Sequence, residues 1–207
     1  MKCFQYVSLA LVFIIPFCAF TNEWTKVAEE DGITIYTKQT KGAIMPFKAY
    51  GFVGASLEQV LKILRDHKKK HLWSPKLKNV KMHKALSKEE YIFSEYYKTP
   101  WPASDREFLL KGKIQKISDG SYLLSGKSIE DNSLKDNSHV QADVKTLNLI
   151  LTQKAPDLTE INFEFHGDMK GWIPTWLMNL IQKKWPLRFI QGLRKRIKTV
   201  NQEVSID

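Results

Sequence analysis

The chain has 207 residues, 43% apolar and 26% charged, with no low-complexity tract and no repeat period, which predicts one globular domain with a sizeable core and excludes a disordered or fibrous chain. A formal net charge of +10 favours anionic partners, phospholipid headgroups or nucleic acid, without choosing between them. Both cysteines, Cys3 and Cys18, lie among the first twenty residues, so the rest of the chain is expected to hold no disulfide and no thiolate metal site.

Met1-Lys2 precedes an apolar run from Tyr6 to Phe20. The run falls short of the roughly 20 residues of a comfortable membrane span and suits the core of a secretory signal. Residues 1–20 are therefore read as a signal peptide or an uncleaved N-terminal anchor, and residues 21–207 as an exported, periplasmic or secreted domain. Phe17 beside Cys18 argues against a lipidated cysteine. A short helix is expected over Trp24 to Glu30. Asp31-Gly32 then turns the chain into a strand, where Ile33, Ile35 and Thr37 alternate with Thr34, Tyr36 and Lys38. Lys41-Gly42 turns it again, and Phe47, Ala49, Gly51 and Val53 alternate in the second arm of a hairpin.

Ser56 with Gln59 forms a capping box ahead of Leu57, Val60, Leu61 and Leu64, which have helical spacing. Lys68-Lys69-Lys70-His71 reads as a solvated helix end. His67 and His71 are the one histidine pair at metal-type spacing, and the lysines around them would repel a cation, so no metal is expected. From Val80 to Met169 the pattern is strand: Val80–Ala85, Tyr91–Lys98, Arg106–Ile117, Ser121–Ile129, His139–Thr152 and Thr159–Met169. Asp119-Gly120 marks a tight hairpin, and 131–138 and 154–157 are polar loops. The last helix opens at Gly171-Trp172-Ile173-Pro174, with Pro174 at its first helical position. Ile173, Trp176, Leu177, Leu180, Ile181 and Trp185 share one face; beyond Pro186 the stripe becomes Phe189, Ile190, Leu193, Ile197, Val200 and Val204, rotated by roughly 150°. A kink or re-phasing is expected at Pro186. The first half is then a lid over an apolar interior; the second packs on the fold with its Arg194-Lys195-Arg196-Lys198 edge in water.

This order of elements is an α+β architecture, a long antiparallel sheet with segregated helices, whose concave face the last helix fills. Strand parity puts Tyr91, Phe93, Glu95 and Tyr97 on one face, and Arg106, Phe108, Leu110, Gly112 and Ile114 on one face of the next strand, with Glu107 opposite. One inward charge on each strand predicts a Glu95–Arg106 pair, because an unpartnered buried charge costs several kcal/mol. The strand Thr159–Met169 sends Ile161, Phe163 and Phe165 inward and His166 outward. The loop Pro100-Trp101-Pro102 between the charged strands is stiff, and suits a gate or a membrane contact. No G-x-S-x-G, phosphate loop or assembled nucleophile and base is present in the sequence, so neither a catalytic residue nor a cofactor is expected.

Asp31-Gly32-Ile33-Thr34-Ile35-Tyr36, the segment Pro102-Ala103-Ser104-Asp105-Arg106-Glu107-Phe108 and Gly171-Trp172-Ile173-Pro174 together resemble the steroidogenic-acute-regulatory-related lipid-transfer (START) family, over about Trp24 to Thr199. The resemblance implies a helix-grip fold, in which a curved antiparallel sheet wraps a long C-terminal helix around an internal hydrophobic cavity for one lipid. Glu107 stands where the family usually has Asp, and Gly112 where another family arginine aligns. The loop at Trp101 matches the family's gating loop. The expected function is binding, and transfer or presentation, of a lipid of unspecified class by a monomer on an anionic membrane surface, without nucleic acid. The alternative is an enzyme of the polyketide aromatase/cyclase type, which shares the fold. The ligand-contacting residues are expected to be Glu95, Tyr97, Arg106, Phe108, Leu110, Phe163, Phe165, Trp176, Leu177, Leu180 and Ile181.

Overall fold

Asp31 and Gly32 both take positive φ, 54° and 66°, the conformation of a two-residue hairpin turn whose twist matches its flanking strands. They fold β1 (Thr25–Glu30) onto β2 (Ile33–Thr37), so the segment read as a short helix is a strand. Pairing across the turn, from Glu30 with Ile33 to Thr25 with Thr37, outweighs the local helix preference of Lys-Val-Ala-Glu-Glu. The computed structural model describes residues 23–38 and 44–204. The expected signal segment at 1–20 and the Lys41-Gly42 turn lie outside the described residues.

After β3 (Ile44–Val53) comes α1 (Leu57–Arg65), followed by a 3-10 segment (His67–Leu72). Ser56 Oγ accepts from the Gln59 backbone N–H at 3.3 Å, half of the expected capping box. The Gln59 side chain donates instead to Asn201 of the last helix. The strands β4 (Leu77–Ala85), β5 (Glu90–Tyr97), β6 (Arg106–Ser118), β7 (Ser121–Ser128), β8 (Val140–Gln141), β9 (Asp143–Ala155) and β10 (Leu158–Asp168) follow, and α2 (Thr175–Val204) ends the fold. Among the described residues these make an open ten-stranded sheet in the order β1-β2-β3-β10-β9-β7-β6-β5-β4. The stretch expected as one strand from His139 is two, because β8 pairs parallel to β6 and only β9 joins β7 and β10.

The last crossover puts β10 between β3 and β9, so the first hairpin and the later meander share one sheet. Phe47 stacks on Phe165 at 5.2 Å and meets Phe163 edge-on at 5.3 Å, which places the aromatic heart of the core on the β3–β10 pair. The second half of α2 lies on it: Leu187, Phe189, Ile190, Leu193 and Ile197 are each at most 5% exposed. This approach is close. A Cβ on Gly192 would stand 2.1 Å from the Trp73 carbonyl oxygen, so only glycine permits the helix to pass there.

The helix runs through Pro186, which is buried. It starts one residue later than expected, with the Pro174 carbonyl accepting from Met178 N–H at 3.1 Å, so Pro174 flanks the helix. Arg194 is not on a water-facing edge: its Nε donates to Phe52 O and its Nη1 to Asp31 O, both at 2.8 Å, tying α2 to the first hairpin. Glu107 also departs from expectation. It points to the outer face and is fully buried, because the loop before β8 folds over it: Asp136 N–H donates to its Oε2 at 2.7 Å, as does the Gln141 amide. Among the described residues no helix is long and apolar enough to cross a membrane.

Candidate functional site

Where the first half of α2 passes over β5, β6, β9 and β10, the two layers do not close, and a cavity of about 690 Å³ remains. Phe108 and Leu110 from β6, Val144 and Leu147 from β9, and Phe165 from β10 form its sheet wall; Leu180, Ile181 and Trp185 form its helical wall. Lys76, Lys98, Lys184 and Arg188 line its rim and are exposed. A volume of this size with apolar walls and few polar groups has the character of a small-molecule site. A smaller chamber of about 100 Å³ adjoins it, and Glu95, Tyr97, Leu110, Leu147 and Trp185 border both.

Glu95 is 3% exposed at this junction. Its Oε1 accepts from Lys70 Nζ, and its Oε2 accepts from the Tyr97 hydroxyl at 2.8 Å. Burial, reinforced by the Glu95 carboxylate, pushes the Tyr97 phenol well above its ordinary range, so it stays protonated. Burial, then the Lys70 charge, pulls His67 below its usual value, which favours the neutral ring. Among the described residues the buried His67 Nδ1 has no hydrogen-bond partner, and His67 lines the smaller chamber with Lys70.

The expected Glu95–Arg106 pair does not form. Arg106 is fully buried, yet its guanidinium faces backbone carbonyls: Nε donates to Met169 O at 3.2 Å, Nη1 to Ser104 O, and Nη2 to Lys170 O at 2.9 Å and Trp172 O at 3.5 Å. Burial lowers its pKa, and the nearby Asp105 carboxylate opposes this, but a guanidinium keeps its charge. Arg106 therefore joins the Trp101 loop to the start of α2 and does not line the cavity. The physical reason is reach: at the first residue of β6 a long side chain extends past the strand end, where parity no longer says what it meets.

Of the other expected contacts, Glu95, Tyr97, Phe108, Leu110, Phe165, Leu180 and Ile181 line the main cavity, with Pro100 of the gating loop. Phe163 lines the smaller chamber. Leu177 is fully buried and away from both, Trp176 is 59% exposed, Trp101 is 88% exposed, and Pro102 lines neither space. Sequence reasoning missed Lys70. In a 3-10 segment residues i and i+3 eclipse, so His67 and Lys70 share the inward edge while Lys68, Lys69 and His71 face water. Three consecutive lysines carry no sequence signal that singles out the one turned inward. The second inner cation position, Gly112, is closed as well: a Cβ there would stand 2.7 Å from the Phe93 ring.

A family model described as START domain matches residues 7–203. An uncharacterized protein of Pseudomonas aeruginosa is 24% identical over 191 residues, covering 91% of this chain and 93% of that protein. Among solved structures, a fragment of the STAR-related lipid transfer protein of Xanthomonas axonopodis superposes with TM-score 0.73 at 22% identity, covering 84% of this chain and 98% of that one. Human StAR-related lipid transfer protein 5 gives TM-score 0.78 at 16% identity, covering 87% and 89%. The Zhui aromatase/cyclase of Streptomyces is more distant, with TM-score 0.55 at 6% identity over 75% of this chain and 94% of that one.

Proposed function

The chain belongs to the START domain family, and from that premise we propose that it is a lipid-binding protein that carries one lipid between membranes or presents it to a partner, without transforming it. The cavity of about 690 Å³ between α2 and the sheet carries this reading, because its walls supply apolar burial and only one buried charged cluster. An aromatase/cyclase role would need a proton donor and acceptor near neutral pH. In the main cavity Tyr97 with Glu95 is the buried candidate pair, and the Tyr97 hydroxyl is already engaged as donor to Glu95 Oε2 at 2.8 Å.

Docking on an anionic membrane fits the same end of the molecule. Trp101, Trp172 and Trp176 are 88%, 67% and 59% exposed, and Arg106 ties the loops of the first two together. The four rim cations, of which Lys184 also meets Glu30, would draw the protein to acidic headgroups, with the tryptophans in the interfacial layer. In this reading residues 1–20 direct export or remain as an anchor, and the domain acts as a monomer.

The test is native mass spectrometry of the purified protein, joined to lipid transfer between vesicles of phosphatidylglycerol and of phosphatidylcholine. A co-purifying lipid, and transfer that slows as salt shortens the Debye length below about 8 Å, are the expected results. A folded protein that takes up no lipid from either vesicle ends the proposal.

A further inference from the structure

We propose that Lys70, Glu95 and Tyr97 form a charge-neutral polar pole selecting lipids that end in a hydroxyl group, with Lys70 as the residue that sets the selection. This rests on the lipid-binding reading and names the ligand class it takes. The first ground is hydrogen-bond capacity. A carboxylate has about four lone-pair sites and an ammonium three N–H groups. Glu95 accepts one bond on each oxygen, from Lys70 and Tyr97, which leaves it free capacity beside the unused donors of Lys70. A hydroxyl uses both at once, donating to Glu95 and accepting from Lys70. A carbonyl uses only the donor.

The second ground is charge. The Lys70 and Glu95 side chains are 18% and 5% exposed, and their charges cancel. Tyr97 is protonated and His67 is held neutral. A carboxylate or phosphate brought to the pole would add a net charge among Phe93, Leu110, Leu147 and Trp185, which line the chamber, and an uncompensated charge in apolar surroundings is strongly disfavoured. Lys113 of β6 borders the smaller chamber but is exposed, so water screens it, and a side chain at Gly112 would have to displace the Phe93 ring. The rim cations are exposed, so water screens them, and they serve docking.

The third ground is size. At about 30 Å³ for each water-sized group, the main cavity's 690 Å³ holds roughly two dozen such groups. One long chain or a compact ring system fits that space; two long chains with a headgroup exceed it.

The experiment measures equilibrium binding of tritiated 1-hexadecanol and palmitate to the purified protein, with the neutral dye Nile red as a probe of the apolar walls. The unsubstituted protein is expected to hold 1-hexadecanol about tenfold or more tighter than palmitate, the scale of a hydrogen bond to a charged group. Glu95→Gln leaves Lys70 as an unpaired cation and should move the ratio towards palmitate by about tenfold. Lys70→Met leaves Glu95 unpaired and should move it the opposite way, with palmitate lost. The double substitution should bring the ratio back and weaken both. Opposite shifts exclude a purely structural role, and if Lys70→Met does not fold, the direction given by Glu95→Gln decides. A preference for palmitate in the unsubstituted protein, or a ratio within twofold of it in both single variants while Nile red still binds, overturns the polar pole and leaves lipid binding standing. Folded protein that binds none of the three probes overturns the lipid-binding reading itself.

Discussion

The two halves of α2 obey the same helical period and end in different surroundings. From Leu187 to Ile197 the apolar positions are buried against β2, β3 and Trp73, close enough that Gly192 has no room for a methyl group. From Thr175 to Trp185 only Leu177 and Met178 are fully enclosed, while Trp176 and Leu180 are 59% and 45% exposed and Ile181 and Trp185 line a cavity. An apolar stripe states what a helix can bury. The distance to the facing layer decides whether it does, and here the sheet lies close under one half and falls away from the other. The half that packs supplies stability; the half that does not leaves space for a ligand.

Substitutions along this boundary should separate the two jobs. Arg106→Met should have the largest effect, a loss of about 3 kcal/mol or more, because it strips the donors from the carbonyls of Ser104, Met169 and Lys170 at the start of the lid half, and each acceptor left buried and unpaired costs about 1–3 kcal/mol. An unfolding free energy from urea titration that falls by less than about 1 kcal/mol would mean that water replaces the guanidinium and the clasp is dispensable. Leu193→Ala, in the packed half, should cost about 2–5 kcal/mol through the cavity it leaves, and thermal melting would show it. Gly192→Ala should cost about 1–3 kcal/mol by forcing α2 away from the Trp73 carbonyl; an unchanged melting temperature would show that the two are not pressed together.

On the lid side the expectations reverse. Ile181→Trp adds volume where the cavity already is, so stability should move by less than about 1.5 kcal/mol, while Nile red binding should fall by roughly tenfold, equivalent to about 1.4 kcal/mol. Equal dye binding would place the ligand elsewhere. Trp176→Ser should be the smallest change in stability, within about 0.5 kcal/mol, as for other exposed positions. Its signature is reduced partitioning onto phosphatidylglycerol vesicles, and undiminished partitioning would remove this tryptophan from the docking face.

Much of the fold was legible because its signals are local. Asp31-Gly32 and Asp119-Gly120 carry the turn chemistry of hairpins, and Ser56 caps α1 as its hydroxyl requires. The alternation of Ile161, Phe163 and Phe165 with Asn162, Glu164 and His166 fixed which face of β10 meets the core. Phe108, Leu110, Leu180 and Ile181 reached the cavity wall for the same reason, since a short apolar side chain stays where its backbone aims it.

What only the tertiary structure decided concerns partners distant in sequence and side chains long enough to choose among them. Thr25 to Glu30 became a strand because β2 was there to pair with it. Glu107 points outward by parity and is buried because a loop from thirty residues later covers that face. Lys70 took the place expected of Arg106: the guanidinium spans two loops outside the cavity, and a lysine from a charged run that looked solvated reaches Glu95. A backbone period sets the direction in which a side chain departs. Four or five rotatable bonds, and the cost of leaving any buried charge alone, decide where its charge comes to rest.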